Sequence, residues 1–184
     1  MFRSFLLCCL SIGIAHAAPS AAESDDLEAL IHSSFVVSEI SQMGQRVGNQ
    51  ASELVVNAMG FLGVPYKRGG SGIAGFDCSG FVRAMYENTL GLALPHNAKA
   101  QADATQTIQR DELQPGDLVF FNTLRKTFSH VGIYVGEGKF IHSPRAGGEV
   151  RLENMSVSYW RKRFNGARRV STESIIKTSE LQQR

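Results

Sequence analysis

Three side chains in this chain carry the parts of a thiol-based acyl transfer: Cys78, His130 and His142. Cys78 lies in the run Gly75-Phe76-Asp77-Cys78-Ser79-Gly80-Phe81, where the pattern predicts a helix from near Asp77 to about Thr89. Phe81, Val82 and Met85 form its inward face. Unpaired amides and the positive end of the helix dipole meet at such a start, and both favour thiolate over thiol. A thiolate is the nucleophilic form and attacks carbonyl carbon. Gly75 and Gly80 would let a substrate backbone come close.

A cysteine nucleophile needs a base. His130 and His142 flank Gly136-Glu137-Gly138, the expected turn of a hairpin. With that trio as the turn, Val135 pairs with Lys139, Ile133 with Ile141 and Gly132 with His142. His130 then shares a strand face with Gly132, diagonal to His142, at the roughly 7–8 Å typical of diagonal neighbours. Val131, Ile133, Val135 and Ile141 occupy the opposite, core face. Two histidines leaving the core side together, with a glycine between them for room, fit a base and its orienting partner. A Cys-His-His zinc site is the competing chemistry, but no CxxC, HxxxH or HExxH spacing supports it. Ser79 is a poorer nucleophile candidate, because the Gly-x-Ser-x-Gly elbow is absent. His32 reads as an incidental surface residue, and His96 as a loop residue after Leu94-Pro95.

The elements that must hold these residues form two groups. Ser52 to Leu62 has apolar residues at helical spacing, Gly69 to Gly75 forms a glycine-rich loop, and Asn97 to Asp103 predicts a short third helix. After Gln114-Pro115-Gly116-Asp117 the signal changes to strand, at Leu118–Phe121, Val131–Val135, Lys139–His142, Val150–Leu152 and Arg168–Val170. Helices first and an antiparallel sheet second define an α+β order.

Residues outside this region have other characters. Met1 to Ala17 combines Arg3, an apolar run from Phe5 to Ile14 and Ala15-His16-Ala17, the pattern of a secretory signal peptide. The run is too short to span a membrane. A lipid-accepting role for Cys8 or Cys9 fits less well, since Leu6 and Leu7 precede Cys8. Removal of 1–17 would leave Cys78 without an internal disulfide partner. Residues 18–48 read as a flexible spacer or weak helix around Asp26 to Met43, 49–170 as the compact domain, and 171–184 as a polar tail.

The 184 residues carry a net charge of +2, which argues against a dedicated nucleic-acid binder. The charge is unevenly spread: Ala18 to Phe120 holds 6 Lys/Arg against 12 Asp/Glu, and Phe121 to Arg184 holds 12 against 5. Solvated faces account for most such splits, while Arg161, Lys162, Arg163, Arg168 and Arg169 could instead face a polyanion.

Five ordered segments carry a resemblance. Pro65-Tyr66-Lys67-Arg68-Gly69-Gly70, Phe76 to Val82, Leu113 to Phe121, Ser129 to Val135 and Phe140-Ile141-His142-Ser143 resemble the signature blocks of the NlpC-type bacterial cell-wall cysteine peptidases. The resemblance covers about Asn49 to Val170. It implies a papain-like α+β fold in which a helix bearing the cysteine packs on a small antiparallel sheet bearing the histidines. It implies Cys78 as nucleophile, His130 as general base and His142 as the residue that orients the base. Tyr66 matches the tyrosine that helps hold the oxyanion, and Asp77 and Ser79 match motif positions near the substrate. Leu94-Pro95-His96 departs from the Leu-Pro-Arg common in the family, which puts any contact by that arginine in doubt.

The function so implied is peptidoglycan hydrolysis without metal or cofactor. The scissile amide would adjoin diaminopimelate, either D-glutamyl–diaminopimelate within a stem peptide or D-alanyl–diaminopimelate across a crosslink. The partners expected are wall stem peptides, with an envelope protein at the N-terminal spacer a further possibility, and the chain is expected to be an exported, periplasmic or wall-associated monomer. The alternatives are a papain-like amidase or acyltransferase on a lipid or small amide, and a wall-binding module that does not cut.

Overall fold

The computed structural model describes residues 21–123 and 126–171. The expected signal peptide, 1–17, and nearly all of the polar tail lie outside these residues. The chain divides into two units, Met1–Met43 and Gly44–Arg184. In the first unit the described residues are helical, and Val36, Val37 and Met43 are exposed. The site lies wholly in the second.

Where the apolar spacing suggests two helices, a single helix α1 spans Ala21–Met59. Gly44 and Gly48 do not break it: each costs about 1 kcal/mol relative to alanine, and the Gln, Met, Arg, Glu and Leu residues around them favour helix. Its last turns bury Leu54 and Ala58 in the main core.

Strands β1 (Ser71–Gly72) and β2 (Gly75–Phe76) form a small hairpin inside the glycine-rich loop. Helix α2 follows at Cys78–Leu90, with Phe81, Val82 and Met85 fully buried as their spacing requires. It stops at Gly91, whose φ of 68° is the left-handed cap conformation. Helix α3 (Ala98–Asp103) is capped by Asn97, whose side chain accepts from the Ala100 amide at 2.9 Å. The fully buried Gln101 donates to the Ser79 carbonyl at 3.0 Å and the Pro95 carbonyl at 2.9 Å. It thereby ties α3 to the first turn of α2.

The remaining strands are β3 (Gln106–Ile108), β4 (Leu118–Phe121), β5 (His130–Gly136), β6 (Lys139–His142), β7 (Arg151–Asn154) and β8 (Phe164–Arg169), with the short helix α4 (Ser158–Arg161) before the last. They make one antiparallel sheet in the order β3-β8-β4-β5-β6-β7. Strand β3 carries no clear alternation and is not evident from the sequence.

The hairpin differs from expectation in one detail. Glu137 (φ 52°) and Gly138 (φ 70°) alone form the turn, the two-positive-φ geometry that suits twisted strands. Gly136, not Val135, pairs with Lys139, and a bulge restores the Ile133–Ile141 pairing. Gly132 does make room: a Cβ there would lie 2.7 Å from the Phe140 ring and 3.2 Å from the His142 Cβ.

The sheet is buried on both faces. Leu118, Phe120, Val131, Ile133 and Ile141 pack with α2 and the end of α1. Val119, Phe121, Phe140, Met155 and Trp160 form a second cluster on the other side. Strand alternation separates the two sets on β4, whose four residues are all fully buried.

The basic C-terminal region is partly spent on holding this sheet together. Arg169 grips Asp117 through two bonds of 2.9 and 2.8 Å, closing β8 onto β4. Arg168 lies 5.0 Å over the Phe128 ring and bonds the Ala102 carbonyl, and Arg163 lies 3.8 Å over Tyr159.

Candidate active site

Cys78 is the first residue of α2, and its neighbour Asp77 is the cap. Asp77 Oδ1 accepts from the Gly80 amide at 2.7 Å, and Oδ2 accepts from the Gly69 amide at 2.9 Å. One carboxylate thus fixes the helix start against the glycine-rich loop. The glycines serve the same closeness. A Cβ on Gly80 would fall 2.1 Å from the Gly70 carbonyl oxygen, and one on Gly75 2.6 Å from the Lys67 Cβ. Both accommodate the protein's own chain, not a substrate backbone as their spacing suggested.

Ser79 is buried, and its hydroxyl donates to Asp77 Oδ1 at 3.2 Å and to the His96 carbonyl at 3.0 Å. Neither Asp77 nor Ser79 lines the cavity beside Cys78. Their side-chain polar atoms bond to the chain itself, at the helix start, the glycine-rich loop and the loop before α3. His96 is exposed and packs against Arg83, whose guanidinium reaches its ring at 2.6 Å.

A cavity of about 590 Å³ opens at Cys78. Tyr66, His130, Arg151, Glu153 and Trp160 share its wall. Tyr66 arrives from the loop after α1, held by its amide to the Gly148 carbonyl at 2.8 Å. Partial burial and the nearby Cys78 and Asp77 charges raise its pKa, keeping the phenol a proton donor.

His130 begins β5 and His142 ends β6; both are buried. His130 Nε2 and His142 Nδ1 lie 2.6 Å apart, with the rings nearly perpendicular. This contact leaves Nδ1 as the His130 nitrogen not engaged with His142. Burial and the His142 neighbour lower the His130 pKa well below the usual imidazole value, so the ring rests neutral.

The thiol does not behave as the helix start alone suggests. The Val131, Ser79 and Cys78 amides lower its pKa, but burial and the Asp77 carboxylate outweigh them and push it up to about 11. Both shifts favour a neutral thiol and a neutral imidazole in the resting site. Iodoacetamide labelling of Cys78, followed by peptide mass spectrometry, should accelerate steadily as pH rises above neutrality. A rate already on its plateau at pH 6 would instead reveal a preformed thiolate–imidazolium pair.

Three residues of this site escaped the sequence reading. The His130 ring stacks on Trp160 at 5.6 Å, and His142 meets the same indole edge-on at 5.0 Å. Glu153, on β7, takes the Trp160 Nε1–H on Oε2 at 2.7 Å and the Arg151 Nε–H on Oε1 at 2.8 Å. The only signals were a single tryptophan in the chain and strand alternation continued past Leu152 to Glu153. Among the described residues, no group of three or more His, Cys, Asp or Glu side chains is placed to hold a metal ion, and no helix is long and apolar enough to cross a membrane.

Comparison with known proteins decides the lineage, for residues 63–169, more than half of the chain, match the NlpC/P60 family. The chain belongs to that family. Among curated NlpC/P60 relatives, it is 43% identical over 134 residues to murein DD-endopeptidase MepH of Escherichia coli K12, covering 70% of this chain and 49% of the relative. It is 41% identical over 112 residues to murein DD-endopeptidase MepS/murein LD-carboxypeptidase of the same organism, covering 61% and 58%. The chain thus spans about half the length of these relatives. A crystal structure of an NlpC/P60 family protein from Bacillus cereus superposes with a TM-score of 0.61 at 36% identity, over 65% of this chain and 39% of that one. The NlpC/P60 domain of the peptidoglycan hydrolase SagA gives 0.57 at 31% identity, over 65% and 98%. The architecture is the α+β, papain-like fold of NlpC/P60 domains.

Proposed function

We propose that this protein is an exported cysteine endopeptidase of peptidoglycan. One observation carries the reading: Cys78, Tyr66 and His130 line a single cavity, with His142 bonded behind His130. The reading is supported by 43% and 41% identity to two relatives named as murein DD-endopeptidases.

The geometry supports the following course. His130 Nδ1 takes the Cys78 proton as the sulfur attacks the amide carbonyl carbon. The Tyr66 hydroxyl and the Cys78 amide donate to the oxyanion. Collapse breaks the C–N bond, and His130 gives its proton to the leaving amine. Water, deprotonated by His130, then attacks the thioester and releases the acid and the thiol. Cys78, His130 and Tyr66 would touch the reacting atoms; His142 would orient His130.

The scissile bond proposed is D-alanyl–diaminopimelate across a crosslink. Its support is the higher identity to two proteins named as DD-endopeptidases, compared with 37% to a Bacillus subtilis gamma-DL-glutamyl hydrolase. Residues 1–17 would direct export, placing the domain beside the wall. Digestion of purified sacculi, with fragments read by mass spectrometry, tests all of this except export. Crosslinked dimers should resolve into monomers. Cleavage after D-glutamyl instead would move the bond, and binding without any cleavage would leave a wall-binding module.

A further inference from the structure

His142 has a second nitrogen. Its Nε2 is buried without a hydrogen-bond partner, and the group facing it is Glu153 Oε1 at 3.9 Å. Glu153 is itself held in place. Arg151, in addition to its Nε bond, brings a terminal guanidinium nitrogen to 2.6 Å from Oε1, and Trp160 holds Oε2. The register explains the approach: His142 pairs with Arg151 and Phe140 with Glu153, so Glu153 lies diagonally across from His142.

The histidine pair poses a problem of proton placement. A neutral imidazole carries one N–H, and the two rings share one short contact. If His142 carried its proton on Nδ1, His130 would have to accept it on Nε2 and keep its own proton on Nδ1. His130 could not then take a proton from the thiol. If His142 carries its proton on Nε2, His130 donates from Nε2 and presents a bare Nδ1. Only the second arrangement gives a base.

Burial alone does not choose between the two; a fixed charge can. A carboxylate facing Nε2 attracts an N–H dipole and repels a lone pair, and the low dielectric of a buried site strengthens that preference. We propose that Glu153 is a positioning residue, fixing the His142 proton on Nε2 and thereby leaving His130 Nδ1 free to act as base. The titratable and charged groups facing His142 are His130 from β5 and Glu153 and Arg151 from β7, with Trp160 facing it without charge; Cys78 and Tyr66 share the cavity on the His130 side. The Glu153 carboxylate is ionised, its pKa lowered to about 2 by the facing His142 ring and by its bonds to Trp160 and Arg151.

This inference rests on the hydrolase reading for its kinetics but not for its spectroscopy. Nitrogen-15 imidazole spectra of the full chain at pH 8 should show His142 protonated at Nε2 and bare at Nδ1. In Glu153→Gln the His142 tautomers should mix. A wild-type His142 protonated at Nδ1 would overturn the proposal without any variant. On wall fragments, Glu153→Gln should lower kcat by roughly 10- to 100-fold, the usual loss when the partner orienting a functional imidazole is removed, with KM nearly unchanged. An unchanged kcat, or a loss confined to KM as expected of a mere cavity contact, would overturn it. A protein that cleaves no wall substrate yet shows both tautomer results would refute the hydrolase reading and leave this assignment intact.

Discussion

Cys78→Ala is expected to remove hydrolysis of wall fragments by at least about 10⁴-fold while leaving the fold in place. The substitution deletes one sulfur at the cavity wall. The elements that set the helix start, namely the Asp77 bonds to Gly80 and Gly69 and the Gln101 bond to Ser79, do not involve the Cys78 side chain. Circular dichroism and the thermal midpoint should therefore match the wild type. Cys78→Ser should be nearly as inactive. A hydroxyl is far less acidic than a thiol, and a neutral imidazole of lowered pKa is a weak base for it. Release of soluble fragments by either variant at near wild-type rate would refute a thiol mechanism.

The second large effect separates the two histidines. His130→Ala is expected to fall within about tenfold of Cys78→Ala, because members of one catalytic unit fail together. His142 acts on His130 through the 2.6 Å contact at Nδ1, so a side chain that offers an acceptor there should keep part of the activity. His142→Asn should retain more turnover than His142→Ala, and far more than His130→Ala. His142→Ala also empties space inside a fully buried aromatic cluster, which should lower stability by a few kcal/mol in addition to its kinetic effect. Kinetics and urea unfolding of the three variants separate these contributions. If His142→Asn is as inactive as His130→Ala, the division between base and orienting residue is wrong.

The parts of the site readable from sequence are those that local rules determine. Asp77 before an apolar helical run marks the start of α2 and so places Cys78. Period-two alternation puts His130 and His142 on one strand face, and Gly132 between them marks a close approach. For Glu153 and Trp160 the local signals, strand alternation and a single tryptophan, do not mark a site. Their positions depend on how residues 143–150 cross from β6 to β7 and how α4 folds back on the sheet, and those contacts have no short-range signature. The glycines illustrate the same limit: Gly75 and Gly80 announce a close backbone approach, but sequence does not say whose. The continuous α1 shows it for helices, because two isolated glycines mark a weak point without marking an end.

Burial of the sheet on both faces has a consequence for how such a protein can diversify. The histidines pack against the aromatic cluster that Trp160 closes, so the proposed base and its orienting partner are part of the folding core, whereas functional residues more often sit on surface loops. A substitution there alters foldability and turnover together, and drift at these positions is constrained twice. The cavity rim is different. Arg145, Ala146 and Val157 are exposed and can change with little effect on stability, whereas Tyr159 carries Arg163 and packs on Trp160. In the proposed wall hydrolase, new substrate preferences should therefore arise by exchange at the rim around a constrained interior, which makes Arg145, Ala146 and Val157 the positions to randomise when retargeting it.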